Sequence, residues 1–177
     1  QRLAADATAE FGRLDVLVNN ASTFYATPVG TITAQQFDDL LGTNLRAPLF
    51  LSQAAAPELR KNRGLILNLA DIHGLRPLRA HPVYSAAKAG LIMLTKSLAR
   101  ELGPDVRVNA IAPSVTLSDR VKRLLAANPD IEKMAQNHLL GLGQPIHIAN
   151  MAVYLASDES EITTGQVLSV DSGVTIY

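Results

Sequence analysis

Four short apolar runs recur along the chain: DVLVNNA (15–21), GLILNLAD (64–71), VRVNAIAP (106–113) and GQVLSVDSG (165–173). Their cores are consecutive branched or apolar residues rather than alternating apolar and polar ones. That is the pattern of a strand buried on both faces, as in a parallel sheet. The stretches between the runs are long enough for helices, which parallel neighbours need as crossovers. Strands alternating with helices, joined by right-handed crossovers, predict a doubly wound parallel α/β sheet.

The intervening segments carry helix signals. QRLAADATAEFGR opens the chain as a helix ending near Gly12. Residues 33–62 read as helix with Thr33 as N-cap, a break at Gly42 and Pro48 in the first turn of the second part. Residues 82–103 form a long helix stopped by Gly103-Pro104. A polar stretch, 114–144, is expected to hold short helices at 118–127 and 129–138, and Pro145 opens another. No repeat or linker interrupts the pattern, so residues 1–177 read as a single domain, or part of one.

Composition excludes several classes of function. Lys and Arg number 16, as do Asp and Glu, so the formal charge is zero. Nucleic acid or an acidic membrane would demand a basic excess and is not expected as partner. With no Cys, thiolate catalysis, disulfides and cysteine-ligated metals are excluded. The four His show no metal-ligand spacing and read as surface or loop residues, with His81 near enough to Tyr84 to edge a pocket. No metal site is expected. No apolar run of membrane-spanning length occurs, and a cytoplasmic location is expected. The 45–60 and 84–102 helices are apolar nearly all round. One face serves the sheet; the second predicts packing against another copy, as a dimer or tetramer.

In open parallel sheets, ligands bind beyond the carboxyl ends of the strands. The polar residues there are Asn19-Asn20-Ala21-Ser22 after the first run, Asp71 after the second and Pro113-Ser114-Val115-Thr116 after the third. Asn44 lies near the expected helix break. Tyr84 and Lys88 open the long helix, one turn apart on one face, with small residues between them. A phenol titrates near pH 10; a nearby ammonium stabilises the phenolate and makes the hydroxyl a usable proton donor. A Ser, a His and an Asp also invite a hydrolase reading, but no G-x-S-x-G elbow surrounds any Ser. Tyr-x-x-x-Lys alone is a weak motif.

Together with LDVLVNNAS, NLRAPLFLSQAAAPEL, YSAAKAGLIMLTKSLARELGPDVRVNAIAPS and TTGQVLSVDSG, in that order and spacing, it resembles the short-chain dehydrogenase/reductase family over nearly the whole chain. The resemblance implies a Rossmann-like fold and a nicotinamide cofactor. It implies catalytic roles for Asn44 (holding the relay water), Tyr84 (acid/base) and Lys88 (ribose ligand and tuner of Tyr84). Asn20, Ala21, Ser22, Tyr84, Lys88, Pro113, Ser114 and Thr116 would line the cofactor. The family's catalytic Ser, thirteen residues before the Tyr, falls on Asp71. An ionised carboxylate cannot donate a hydrogen bond to a ketone oxygen, and its charge opposes Lys88 at the phenol.

A carboxyl group suits a substrate with ring N–H groups or a ring nitrogen that needs a proton. The chain is most similar to pteridine reductases within the family, through Asp71, NNAS-x-F (19–24) and DIHGLRPLRAHPVYSAAK (71–88). That resemblance implies NADPH as cofactor and a pterin- or dihydrofolate-like substrate. It implies Phe24 stacking on the ring, and Ser22, Asp71 and Tyr84 contacting it. Each residue also has a plainer reading: Asp71 as a loop cap, Phe24 as a core anchor, Ser22 as a turn residue. A general carbonyl or 3-oxoacyl reductase is the alternative activity. The family's Gly-x-x-x-Gly-x-Gly phosphate loop is absent from these residues. The N-terminal βαβ part, roughly sixty to eighty residues, is therefore expected to precede Gln1. If it does not, the chain would be a non-catalytic module acting through its apolar helices.

Overall fold

The computed structural model describes residues 2–127 and 136–176. Four parallel strands, β1 (Val16–Asn19), β2 (Leu65–Leu69), β3 (Arg107–Pro113) and β4 (Val167–Val170), lie in the order β1-β2-β3-β4. Asn19 pairs with Asn68, Leu69 with Ile111 and Pro113 with Val170, so the carboxyl ends of neighbouring strands align along one side of the sheet.

The helices are α1 (Arg2–Phe11), α2 (Ala34–Leu41), α3 (Ala47–Lys61), α4 (Pro82–Leu102), α5 (Asp119–Ala127) and α6 (Pro145–Ala156). Side-chain alternation along β2 sorts them between two faces. Ile66 on β2 and Val108 on β3 pack with Ala55, Ala56 and Leu59 of α3 and Ala99 and Leu102 of α4. Leu65, Leu67 and Ile111 pack with Leu155, Ile148 and Met151 of α6 on the opposite face. β2 and β3 are thus covered on both sides, as expected from sequence, whereas Val16 and Val18 of β1 and Ser169 of β4 are exposed at the two edges of the sheet.

One local feature differs from expectation. Thr33 caps α2 as expected, in a reciprocal box: its hydroxyl accepts from Gln36 N–H at 3.2 Å and Gln36 Oε1 accepts from Thr33 N–H at 3.0 Å. Gly42, however, does not break the helix. It opens a π-helical turn, Gly42–Arg46, in which Ala47 N–H bonds Gly42 O, and the chain runs on into α3. Pro48 gives a physical reason: it has no N–H for the Asn44 carbonyl, and its ring crowds that carbonyl, so the turn before it widens. The short helix expected at 118–127 is α5; the one at 129–138 falls largely outside the described residues.

A buried polar ladder runs beneath the strand ends. Asn19 Nδ2 donates to Asn68 Oδ1 at 2.8 Å and to Ser52 Oγ at 3.3 Å. Asn68 Nδ2 donates to Thr95 Oγ1 at 2.9 Å, and Thr95 Oγ1 donates to Leu91 O at 2.8 Å. It ties β1, β2, α3 and α4 together at the level of the site; satisfied buried polar groups of this kind specify one arrangement.

The turn after β2 is pressed onto α4. A Cβ added at Gly74 would lie 2.8 Å from Lys88 C and 2.9 Å from Lys88 O. Backbone cannot yield as a side-chain tip can, so Gly74→Ala is expected to destabilise by about 1–3 kcal/mol. A lowered denaturant midpoint with an unchanged slope would show it; an unchanged midpoint would mean that the turn and α4 are not in this contact.

Candidate active site

Asp71, Tyr84, Lys88, Asn44, Ser22 and Phe24 come together beyond the ends of β1 and β2. Asp71 follows β2 and caps the 3-10 turn Ile72–Gly74, its Oδ1 accepting from His73 N–H at 2.8 Å. Its Oδ2 accepts from the Tyr84 hydroxyl at 2.8 Å. The cap and the site are therefore not alternatives: each carboxylate oxygen serves one of them. Tyr84 sits two residues after Pro82, which begins α4, and its side chain packs with Leu40 and Val83 in the core.

Lys88 lies one turn further along α4 and is buried. Its Nζ donates to Leu69 O at 2.8 Å and stands 5.7 Å from the Tyr84 ring centroid. Burial lowers the ammonium to about 8, with Asp71 acting in the opposite direction. Burial raises the Tyr84 phenol well above its ordinary value; the Asp71 charge and hydrogen bond raise it further, and the Ser22 hydroxyl acts the other way. Sequence reasoning set Lys88 against Asp71 at this phenol. Burial and Asp71 prevail: the phenol is withdrawn from water and the carboxylate holds its proton directly, while Lys88 gives one of its three donors to the Leu69 carbonyl.

The π-helical turn buries Asn44. Its Nδ2 donates to Leu40 O at 2.9 Å and Thr23 O at 3.0 Å, and its Oδ1 accepts from Ser22 Oγ at 2.6 Å. Its amide thus braces the loop after β1 against α2. Phe24, in that loop, keeps part of its ring exposed. The ring lies edge-to-face with Tyr84 at 4.8 Å and 81°, and parallel to His81 at 4.7 Å and 9°. Asn20 and Ala21 are exposed at the end of β1, while Pro113, Ser114 and Thr116 are half-buried at the end of β3.

These strand-end groups fit the nicotinamide and ribose portion of a dinucleotide. Lys88 brings a buried ammonium, Asn20 and Ala21 an accessible loop, and Ser114 and Thr116 hydroxyls, all along one side of the sheet. When bound, such a cofactor supplies a hydride.

Sequence reasoning placed His81 near Tyr84 but missed its stacking on Phe24, and it missed the Asn19–Asn68–Thr95 ladder. An Asn near the end of two adjacent apolar runs was the available signal for the ladder. His138, expected at the surface or in a loop, lies outside any helix or strand but is buried, with Nε2 3.1 Å from Ser114 Oγ. Among the described residues no group of His, Asp and Glu has the arrangement to hold a metal, and no helix is long and apolar enough to cross a membrane.

Residues 1–175 match the family described as enoyl-(acyl carrier protein) reductase. The chain is 40% identical over 177 residues to a probable galactose dehydrogenase of Rhizobium meliloti, covering 98% of this chain and 69% of that protein. It is 37% identical over 171 residues to a 3-oxoacyl-(acyl-carrier-protein) reductase of Staphylococcus aureus, covering 96% and 69%. Two solved structures share the fold. ElxO with NADP bound has a TM-score of 0.93 at 26% identity, over 99% of this chain and 73% of its own. A 7α-hydroxysteroid dehydrogenase complexed with NADH and 7-oxo glycochenodeoxycholic acid has a TM-score of 0.90 at 34% identity, over 97% and 68%.

Proposed function

The chain belongs to the short-chain dehydrogenase/reductase family of oxidoreductases, and on that premise we propose that it is an NADPH-dependent reductase of a flat, nitrogen-containing ring, a pterin- or dihydrofolate-like compound. The observation that carries this reading is the 2.8 Å hydrogen bond from Tyr84 to Asp71, beside the partly exposed ring of Phe24. A carboxylate here repels the oxygen of an incoming ketone but accepts from ring N–H or amino groups. Phe24 offers a planar apolar surface at the distance of the Tyr84 ring.

Each residue then has a role. Phe24 orients the ring, Ser22 and Asp71 hold its polar edge, and Tyr84 donates the proton. Lys88, as an ammonium, stabilises the phenolate left behind and holds a ribose hydroxyl. Asn44 keeps the Ser22–Thr23 loop in register with α2. Asn20, Ala21, Pro113, Ser114 and Thr116 border the cofactor. NADPH rather than NADH follows from the likeness to pteridine reductases. Exposed Phe37, Leu49, Phe50 and Met93 on α2, α3 and α4 support self-association as a dimer or tetramer, and a cytoplasmic location is part of the same proposal.

The second reading is a carbonyl reductase acting on 3-oxoacyl thioesters, favoured by the 37% identity to the Staphylococcus aureus enzyme. Side-by-side assays of the full-length protein with NADPH separate the two. Oxidation of NADPH by 7,8-dihydrobiopterin or dihydrofolate, at a kcat/KM above that for an acetoacetyl thioester, is the expected result. The reverse order would replace the first reading with the second.

A further inference from the structure

Phe24 and His81 come from separate loops, one after β1 and one before α4, yet their rings lie parallel at 4.7 Å. The loops are also joined through the backbone, since Thr27 N–H donates to Ala80 O at 2.7 Å. Ala80 adopts φ 62°, a left-handed conformation unfavourable for a residue with a Cβ and one that persists only where its surroundings impose it.

His81 itself is held from three directions. Its N–H donates to Leu78 O at 3.1 Å, its carbonyl accepts from Ser85 N–H at 3.0 Å, and its Nδ1 lies 2.9 Å from Arg79 O. A carbonyl only accepts, so Nδ1 carries the proton. An imidazole anchored in this way resists rotation away from Phe24. The phenyl ring is touched by His81 on one side and by Tyr84 at right angles. Two rings at different angles restrict the plane of a third more than either does alone.

We propose that His81 is a positioning residue: it braces Phe24, so that the surface left uncovered by His81 and Tyr84 stands at a set angle beside the Tyr84 hydroxyl and orients a flat substrate ring. This rests on the reading of the site as one for a planar heterocycle. It assigns a role in substrate orientation to a residue outside the Tyr-Lys motif, through an aromatic contact between two loops.

The test uses the full-length protein with NADPH, comparing His81→Ala and His81→Phe with wild type. Removing one aromatic contact from the brace is expected to raise KM for 7,8-dihydrobiopterin about three- to tenfold. The change in kcat should be smaller, and KM for a non-aromatic acetoacetyl thioester should move less. His81→Phe, which keeps a ring but loses the imidazole, should recover most of the KM. An unchanged KM in His81→Ala, or equal losses for both substrates without rescue by Phe, would overturn the brace.

If wild type turns over no dihydropterin, the substrate reading fails on its own, and the brace is judged by NMR. The chain has only 4 Phe, so the Phe24 ring signals are assignable by substitution. His81→Ala should shift them, and Phe24→Ala should shift the His81 ring protons. Signals that stay in place in both variants would overturn the brace whatever the substrate.

Discussion

Tyr84→Phe is expected to lower kcat by a factor of about 10²–10⁴, the span typical for loss of a positioned acid or base, while the protein stays folded. Only the hydroxyl is removed. The ring remains buried with Leu40 and Val83 and keeps its edge contact with Phe24. Asp71 loses one hydrogen bond, but its other oxygen stays on His73 N–H, and the carboxylate is only half-buried, so water can replace the phenol. The stability change should therefore be about 1 kcal/mol or less. Cofactor affinity should hold, because Lys88 is retained. Single-turnover rates and thermal melts measured on one preparation check both halves. A kcat within tenfold of wild type would remove Tyr84 from the proton-donor role.

Asp71→Ser should produce the second large effect, in selectivity and in pH dependence together. The Ser hydroxyl can donate to a ketone oxygen, whereas the carboxylate accepts from ring N–H groups. The ratio of dihydropterin to acetoacetyl-thioester kcat/KM should therefore fall by about tenfold or more, the scale set by leaving buried polar groups of a ligand without their partner. Dihydropterin turnover equal to or better than wild type would refute the role given to Asp71.

The sign of the pH effect follows from the same groups. Lys88 supports the phenolate only as an ammonium. Burial lowers it to about 8, so in wild type kcat/KM should decline as pH rises through about 8. The Asp71 charge pulls Lys88 upward against burial. Its removal should move the alkaline limb to lower pH, by about one unit for a neighbouring opposite charge. The Tyr84 phenol, which Asp71 raises, should fall as well, towards the range of an ordinary buried tyrosine. A limb that stays in place in Asp71→Ser would mean that Lys88 does not report the carboxylate.

Much of the candidate site was legible because its residues sit at positions that periodicity already defines. Asp71 follows an apolar run and Tyr84 and Lys88 share one face near the start of a helix, so their convergence required only that the strands be parallel. Asn44 was marked by the family pattern, but its setting was not. Gly42 suggested a break, and the continuous π-helical turn depends on how Pro48 and the Thr23 loop crowd that stretch. His81 carried no periodic or motif signal. Its partner, Phe24, lies fifty-seven residues earlier, and nothing local links the two loops. The burial of His138 was not legible for a related reason: a lone His in a polar stretch reads as a surface or loop residue, and only the placement of the end of β3 beside it shows that its side chain is buried.

The sequence by itself determined the parallel α/β sheet, the order and type of its main elements and the identity of the chemical groups along the strand ends. These depend on local periodicity, capping and spacing, which each segment carries within itself. Only the tertiary structure decided how the groups are paired. Asp71 divides its two oxygens between a turn and Tyr84, Lys88 is committed to the Leu69 carbonyl, and His81 lies against Phe24. Those pairings depend on angles and distances between segments far apart in the chain, and burial sets their electrostatic balance.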